Sequence, residues 1–261
     1  MSRAEYWNDA HAPVPNSLVP ACGVLAVDDQ GRVLAAPVGG ALTVNDEASD
    51  VRWVAPADLG ELDIHPTQWR QLNHYLNQTT RTWTSDSGAR RPRGWHGVSK
   101  KKSARPRRVD YWHDPAAPKP TSRKPSASVI VRNSAGDLLL LRRSDSGRWT
   151  IPTGGLRKNE TLTQCAVREC REETGLDIEI TALVGIFSDP AHVIAYAGGE
   201  VRQPVNTCFA GRVIGGQLTT SDEASEVAWI PPARLDDYDI HPAIRRRIVH
   251  GLDPAATPHV D

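Results

Sequence analysis

The apolar positions in the second half of the chain come in short β-rich runs separated by turn residues. Ser126 to Val131 and Leu138 to Arg142 are two such runs, joined through Asn133-Ser-Ala-Gly136, and together they read as a hairpin. Asp177 to Phe187, Val193 to Tyr196, Val205 to Val213 and Glu226 to Ile230 supply further strands, with turns at Gly198-Gly199 and Gly215-Gly216. Between them the period changes. Leu162, Ala166 and Cys170 recur at i, i+4 and i+8, which lines three apolar side chains along one face of a helix. Thr161 with Gln164 has the capping-box pattern, so this helix is expected to start near Glu160 or Thr161, and Gly175 supplies a left-handed stop after Thr174. A last helix follows His241-Pro242 and runs through Ile244 and Ile248. Helices set into a strand-rich pattern predict an α/β chain with a mixed β-sheet sandwiched between helices.

The first of these helices carries its chemistry on the face away from the apolar stripe. Glu169, Glu172 and Glu173 stand at i, i+3 and i+4, so their carboxylates come within reach of a common point. Like charges so placed repel one another unless a cation sits between them. With no His or paired Cys nearby to favour zinc, the expected occupant is a hard ion with oxygen ligands, Mg²⁺ or Mn²⁺. A solvated, salt-bridged surface helix would explain the charges but not the glycines at both ends. The spacing is Gly154, five residues, Glu160, seven residues, Arg168-Glu169-Cys170, one residue, Glu172-Glu173, one residue, Gly175-Leu176. This resembles the Nudix box, with every defined position of that motif filled. Cys170 takes the motif's apolar position and reads as a small buried hydrophobe.

The resemblance covers about Tyr111 to Leu252 and implies the Nudix fold with a metal-dependent hydrolase acting on phosphoanhydride bonds. It makes Glu172 and Glu173 the principal metal ligands, Glu169 a further ligand or the group that activates water, and Arg168 with Glu160 an ion pair that braces the box. It also implies a main-chain carbonyl ligand just before the box glycine, a position held here by Thr153. A carboxylate from outside the box often assists in this family. Asp222, Glu223, Glu226 and Glu200 are the candidates by chain location, with no spacing rule to choose among them, and Glu223 is carried forward. The substrate implied is a nucleotide-type small molecule. Pro190, beyond the box, is similar to a pattern in ADP-ribose pyrophosphatases, so a nucleoside diphosphate linked to another moiety is the favoured expectation. Oxidised or ordinary nucleoside triphosphates are the runner-up. An RNA-end pyrophosphohydrolase and a ligand sensor on the same fold are the readings from other classes; the intact glutamates argue against the sensor.

The first third of the chain repeats that domain with its centre missing. Tyr6-Trp-Asn-Asp9 echoes Tyr111-Trp-His-Asp114, and Asp28-Asp-Gln-Gly31 falls where Asn133-Ser-Ala-Gly136 falls. The register then jumps: Gly39 to Trp53 matches Gly215 to Trp229, and Asp63-Ile-His-Pro66 matches Asp239-Ile-His-Pro242. The stretch skipped by the jump contains the whole box. Residues 1–78 are thus expected to be a truncated, box-less α+β copy, residues 79–109 a linker, residues 110–252 the catalytic domain and residues 253–261 a tail. A fragment with a few strands and an amphipathic helix around Trp69, Leu72 and Leu76 buries little surface alone. It is expected to dock on the catalytic domain or on a second copy of the chain, giving a homodimer in the latter case.

Charge alters the picture in one place only. The 261-residue chain balances 31 Lys and Arg against 31 Asp and Glu, yet from Arg81 to Arg108 basic residues face the single acid Asp86. Its Ser, Gly and Pro content reads as a solvated tether. The sharper reading is a contact for nucleic acid with Trp83 and Trp95 as stacking groups, which no RNA- or DNA-binding motif supports. No apolar run approaches membrane-spanning length, so no membrane partner is expected. Cys22, Cys165, Cys170 and Cys208 lack zinc spacing and suit a reducing, cytoplasmic setting. His241 recurs as His65 in the copy without a box, which points to a structural role.

Overall fold

The computed structural model describes Leu25, Gln30 and residues 33–35, 52–62, 64, 66–77 and 108–261. The expectations that rest on Tyr6, Cys22, Gly39, His65, Trp83, Trp95 and the basic run before Arg108 lie outside these residues. The described residues fall into two units, one ending at Asn77 and one beginning at Arg108.

In the first unit, strand β1 (Val33–Ala35) pairs antiparallel with β2 (Arg52–Val54), Val33 lying opposite Val54. A 3-10 turn over Pro56–Glu61 leads to helix α1 (Pro66–Leu76). Val33, Val54 and Leu59 are buried there, with Trp69, Leu72 and Leu76 packed against them.

The second unit contains, in chain order, β3 (Arg108–Trp112), β4 (Ser122–Arg132), β5 (Leu138–Arg143), β6 (Trp149–Thr150), β7 (Thr153–Gly155), α2 (Leu162–Thr174), β8 (Leu176–Phe187), β9 (His192–Tyr196), β10 (Val201–Gly216), β11 (Ala224–Ile230), a 3-10 turn over Pro232–Asp237, α3 (Pro242–Leu252) and β12 (His259–Val260). The main path of the sheet runs β11-β5-β4-β10-β8-β12, with β3 joined through β9. The pairing is mixed: β4 lies parallel to β10, and β10 antiparallel to β8.

Alternation along the strands divides the core in two. Ile130, Leu138 and Leu140 face one way and pack with Ile248 of α3, whereas Val129, Val131 and Leu139 face the other and pack with Cys165, Ala166 and Cys170 of α2. Strands covered on both faces have no polar face to show, which is why Leu138 to Leu141 is continuously apolar and fully buried. Each such buried side chain stabilises the fold by about 1.5–3 kcal/mol relative to exposure.

Two strands extend past their apolar runs. β4 begins at Ser122 and β10 at Val201 because they pair with each other from Ser122 opposite Arg202 to Arg132 opposite Arg212, and ladder hydrogen bonds do not need apolar side chains. β3 and β12, absent from the sequence expectation, likewise form through their partners β9 and β8. The last residues, set apart by the sequence as a tail, return to the sheet: the Ser188 amide donates to the Asp261 side chain at 2.7 Å and Arg246 pairs with Asp261 at 2.5 Å.

Candidate active site

Helix α2 holds most of the acidic groups, and its ends are fixed locally. The Thr161 hydroxyl accepts from the Gln164 amide while the Gln164 side chain accepts from the Thr161 amide at 2.8 Å, and Gly175 closes the helix in the left-handed region at φ 76°. Cys165, Ala166 and Cys170 are buried against the sheet, so the glutamates are set by default on the side facing β7 and the box loop. Gly154 of β7 permits this approach: a Cβ there would lie 1.9 Å from the Glu169 carboxyl carbon. Across the same gap the Thr153 amide donates to Glu173 Oε2 at 3.0 Å. Asn159, in the left-handed region at φ 62°, turns the loop back toward the helix.

Arg168 is the centre of the arrangement. It clasps Glu160 through Nε at 2.6 Å and Nη2 at 2.9 Å, reaches Glu169 at 2.5 Å through Nη1, and donates to the Gly155 carbonyl at 3.1 Å. Burial alone would raise the Glu160 carboxyl, but the Arg168 hydrogen bonds and the Arg157 amide outweigh it and hold it below its usual value.

Glu169 acts directly on Glu173, and Glu172 is tied to Glu169 through Arg168 Nη1, which lies 2.5 Å from Glu169 and 3.3 Å from Glu172. Glu169 and Glu173 are buried, and Glu173 is pushed up to about 8 by burial and then by Glu169, against the lowering effects of the Thr153 amide and Arg143. Glu172 is more exposed and bound to arginines, with both Arg157 Nη atoms donating to it at 3.1 and 2.9 Å. Among the described residues, no three His, Cys, Asp or Glu side chains are gathered at metal-holding distances. Glu223, in the turn before β11, is close enough to add to the raising of Glu173, and its carbonyl accepts from the Ser144 amide at 2.9 Å. The other outside candidates fare differently. Glu200 is committed to Lys124 and Arg202, which with Ser122 outweigh its burial and hold it down to about 2, while Asp222 and Glu226 are exposed.

The donor set suits a hard divalent ion. Two buried carboxylates lie together, burial and then Glu169 disfavouring the charged form of Glu173, and the groups free to face an ion between them are carboxylate and main-chain oxygens. Glu169, Glu173 and the Thr153 carbonyl would hold such an ion, with Glu172 joining once released by Arg157.

Beside the box lies a cavity of about 500 Å³, lined by Thr153, Gly154 and Lys158 on one side and by His192, Tyr196 and Arg247 among others. Sequence reasoning missed this lining. Arg247 carried a signal: it sits between Ile244 and Ile248 on the apolar stripe of α3, where a charge is out of place. His241 caps that helix, its Nδ1 accepting from the Ala243 amide at 3.3 Å. Cys165, Cys170 and Cys208 are free, buried thiols.

Comparison with known proteins agrees with this geometry. The NUDIX domain model matches residues 122–252. A MutT-like protein of Streptomyces ambofaciens is 33% identical over 134 residues, which span 51% of this chain and 79% of that protein. A nucleoside triphosphatase, NudI, of Enterobacter sp. (strain 638) is 31% identical over 123 residues, spanning 44% and 87%. Among solved structures, an ADP-ribose pyrophosphatase from Streptococcus suis 89-1591 aligns with a TM-score of 0.42 and 18% identity, over 54% of this chain and 97% of that one. With box, sheet and helices in place, the chain belongs to the NUDIX family. It is a Nudix hydrolase, of a family that uses divalent metals on nucleotide-type substrates.

Proposed function

We propose that the chain hydrolyses the diphosphate of a nucleoside diphosphate linked to another moiety, of ADP-ribose type, with Mg²⁺ or Mn²⁺ held by Glu169, Glu172, Glu173 and the Thr153 carbonyl. The observation that carries this is the buried Glu169 and Glu173 pair against Gly154, beside a cavity lined by several cations from different elements, Lys158 of the box loop and Arg247 of α3 among them. A bound divalent ion supplies charge for the diphosphate oxygens and lowers the pKa of water. The chain's own part is positional. Arg168 fixes Glu160 and Glu169, so that the loop and the helix approach as one body. Lys158 and Arg157 lie beside the box to meet phosphate oxygens, and Glu223 takes the proton of the attacking water as general base. The cavity volume is of the size that holds a nucleotide.

A second reading, hydrolysis of nucleoside triphosphates, is favoured by a relative's name: a putative 8-oxo-dGTP diphosphatase of Bacillus subtilis (strain 168) is 32% identical over 110 residues, 42% of this chain and 67% of that protein. A nucleotide panel assayed with each metal, scored by product identity, decides. Release of two nucleoside or sugar monophosphates from a diphosphate-linked substrate supports the first reading, and pyrophosphate release from triphosphates alone replaces it with the second.

We also infer that residues 1–78 are a box-less copy of the catalytic domain. In support, β1 and β2 pair with Val33 opposite Val54 and Leu34 opposite Trp53, as β5 and β11 pair with Leu138 opposite Ile230 and Leu139 opposite Trp229. Each pair is followed by a 3-10 turn with a buried leucine, Leu59 or Leu235, and then by a helix starting at proline.

A further inference from the structure

We propose that the deep part of the cavity, at Arg247, binds an acidic group of the substrate other than the diphosphate that is cleaved. The substrate is then a nucleotide derivative carrying a second anionic group, a phosphomonoester, on the moiety that the cavity holds. This rests on the cavity being the substrate site of the hydrolase proposed above.

Arg247 is 3% exposed and lines the cavity, yet its Nε has no hydrogen-bond partner among the described residues. The Phe187 ring, 5.6 Å from the guanidinium carbon, is an apolar neighbour and does not replace a carboxylate. Burial lowers Arg247 only to about 10, so the side chain remains charged at neutral pH. Asp261 is the carboxylate that acts on it, and Asp261 is itself bound to Arg246 at 2.5 Å. A buried charge without a hydrogen-bonded partner of its own destabilises the fold, and a ligand that supplies one binds there with part of the cost already met.

The other cations of the lining are spoken for. Arg108 has Asp110 as its ion-pair partner at 3.1 Å, although its Nε, like that of Arg247, makes no hydrogen bond; Arg143 pairs with Asp145 at 2.6 Å, and Lys124 and Arg202 share Glu200 at 2.9 and 3.0 Å. Lys158, in the box loop, is placed for the cleaved diphosphate, and Arg247, on α3, is left for something else. The stacked rings of His192 and His241, 5.3 Å apart, form a wall near it. Burial, with Arg247 close by, pushes His192 down to about 3, so that ring brings no positive charge of its own. The planar fork of a guanidinium matches two oxygens of a phosphate at once, which a lone histidine cannot do. Nor does the helix need an arginine there: in the register that aligns Asp63-Ile-His-Pro66 with Asp239-Ile-His-Pro242, the place of Arg247 is taken in α1 by Gln71.

Inorganic phosphate, titrated calorimetrically into the full-length protein in EDTA at low ionic strength, tests the site without the metal. The wild type is expected to bind it, and Arg247→Met to bind about ten- to a hundredfold more weakly, the range that loss of charge-assisted hydrogen bonds produces. Arg247→Lys, keeping the charge without the fork, should fall between. Failure of the wild type to bind millimolar phosphate, or equal affinity in the wild type and the folded methionine variant, overturns the proposal. If Arg247→Met does not fold, an Arg247→Lys affinity equal to wild type does the same. A nucleoside diphosphate sugar with and without a phosphomonoester on the sugar gives the kinetic arm: the wild type should favour the phosphorylated form in kcat/KM and Arg247→Lys should lose part of that preference. Phosphate binding at Arg247 in a protein that hydrolyses no nucleotide would sink the hydrolase reading, whereas hydrolysis without phosphate binding sinks this one alone.

Discussion

Glu173 carries the sharpest conflict of any single residue in the site, since burial and Glu169 both disfavour its charged form while the Thr153 amide waits to receive it. A divalent ion resolves that conflict, so Glu173→Gln is expected to lower kcat at saturating Mg²⁺ by about 100-fold or more, ~2.7 kcal/mol of barrier at 1.36 kcal/mol per factor of ten. Its melting temperature in EDTA should not fall, because a side chain whose charged form burial disfavours is replaced by a neutral one whose amide oxygen can still accept from the Thr153 amide. Near-wild-type turnover would defeat the metal assignment. His192 shows the opposite behaviour, its charged form being disfavoured by burial and by the neighbouring Arg247. Its folded-state value of about 3 lies below the ordinary 6.5, so between those limits the unfolded chain binds a proton that the folded one refuses. Stability therefore falls as pH drops through that window, with a slope of at most about 1.4 kcal/mol per pH unit from this group. Denaturant melts of His192→Phe between pH 4 and pH 6.5 should show a shallower decline than the wild type, and parallel curves would mean that His192 takes no part in acid sensitivity.

At the scale of elements, the loop from β7 to α2 is held by two arginines, Arg157 at Glu172 and the more deeply buried Arg168. Arg168 joins Glu160, Glu169 and the Gly155 carbonyl, and is itself nearly buried. Removing it strands Glu160 without its counter-charge, so Arg168→Ala should cost about 3 kcal/mol and lower the melting temperature by roughly 6–12 °C. Mg²⁺ affinity should fall with it, and an unchanged melt together with an unchanged Mg²⁺ dependence would reduce the pair to a surface contact. This element was legible in the sequence because its signals are local: a capping box, a terminal glycine and an apolar stripe each fix one boundary of α2. The strand β12 was not legible, since its residues His259 and Val260 gain their structure from β8 rather than from their own pattern. The same holds within the site. The spacing of Glu169, Glu172 and Glu173 gave their common helix, but which of them turns to Arg157 depends on a loop whose path the helix period does not contain. The cavity has no local signal beyond Arg247, being assembled from β3 to β7, the box loop, β9, β10 and α3.

At the scale of the whole molecule, the two units are unequally equipped. The unit beginning at Arg108 has two separate cores on the faces of one sheet, whereas the described part of the first unit has a small cluster around Val33, Val54 and Leu59. Fold stability grows with the share of surface a chain removes from water, so the larger unit has the means to fold alone and the smaller has little. A chain shortened to Arg108–Asp261 is therefore expected to melt cooperatively and to retain metal-dependent hydrolysis, since the box, Glu223 and the cavity lining all lie within it. If residues 1–78 cover part of that unit or of a second copy of the chain, their removal should lower the melting temperature in proportion to the apolar area uncovered, about 25 cal/mol per Å². Light scattering and thermal melts on the full and shortened chains separate the alternatives. A changed number of copies per particle places the first unit at an interface between copies, and a lower melt with the number of copies unchanged places it on its own catalytic domain. An unchanged number of copies and an unchanged melt mean that the first unit covers neither, while a folded fragment without hydrolysis would mean that the first unit supplies part of the active site, against the expectation that residues from Arg108 onward suffice.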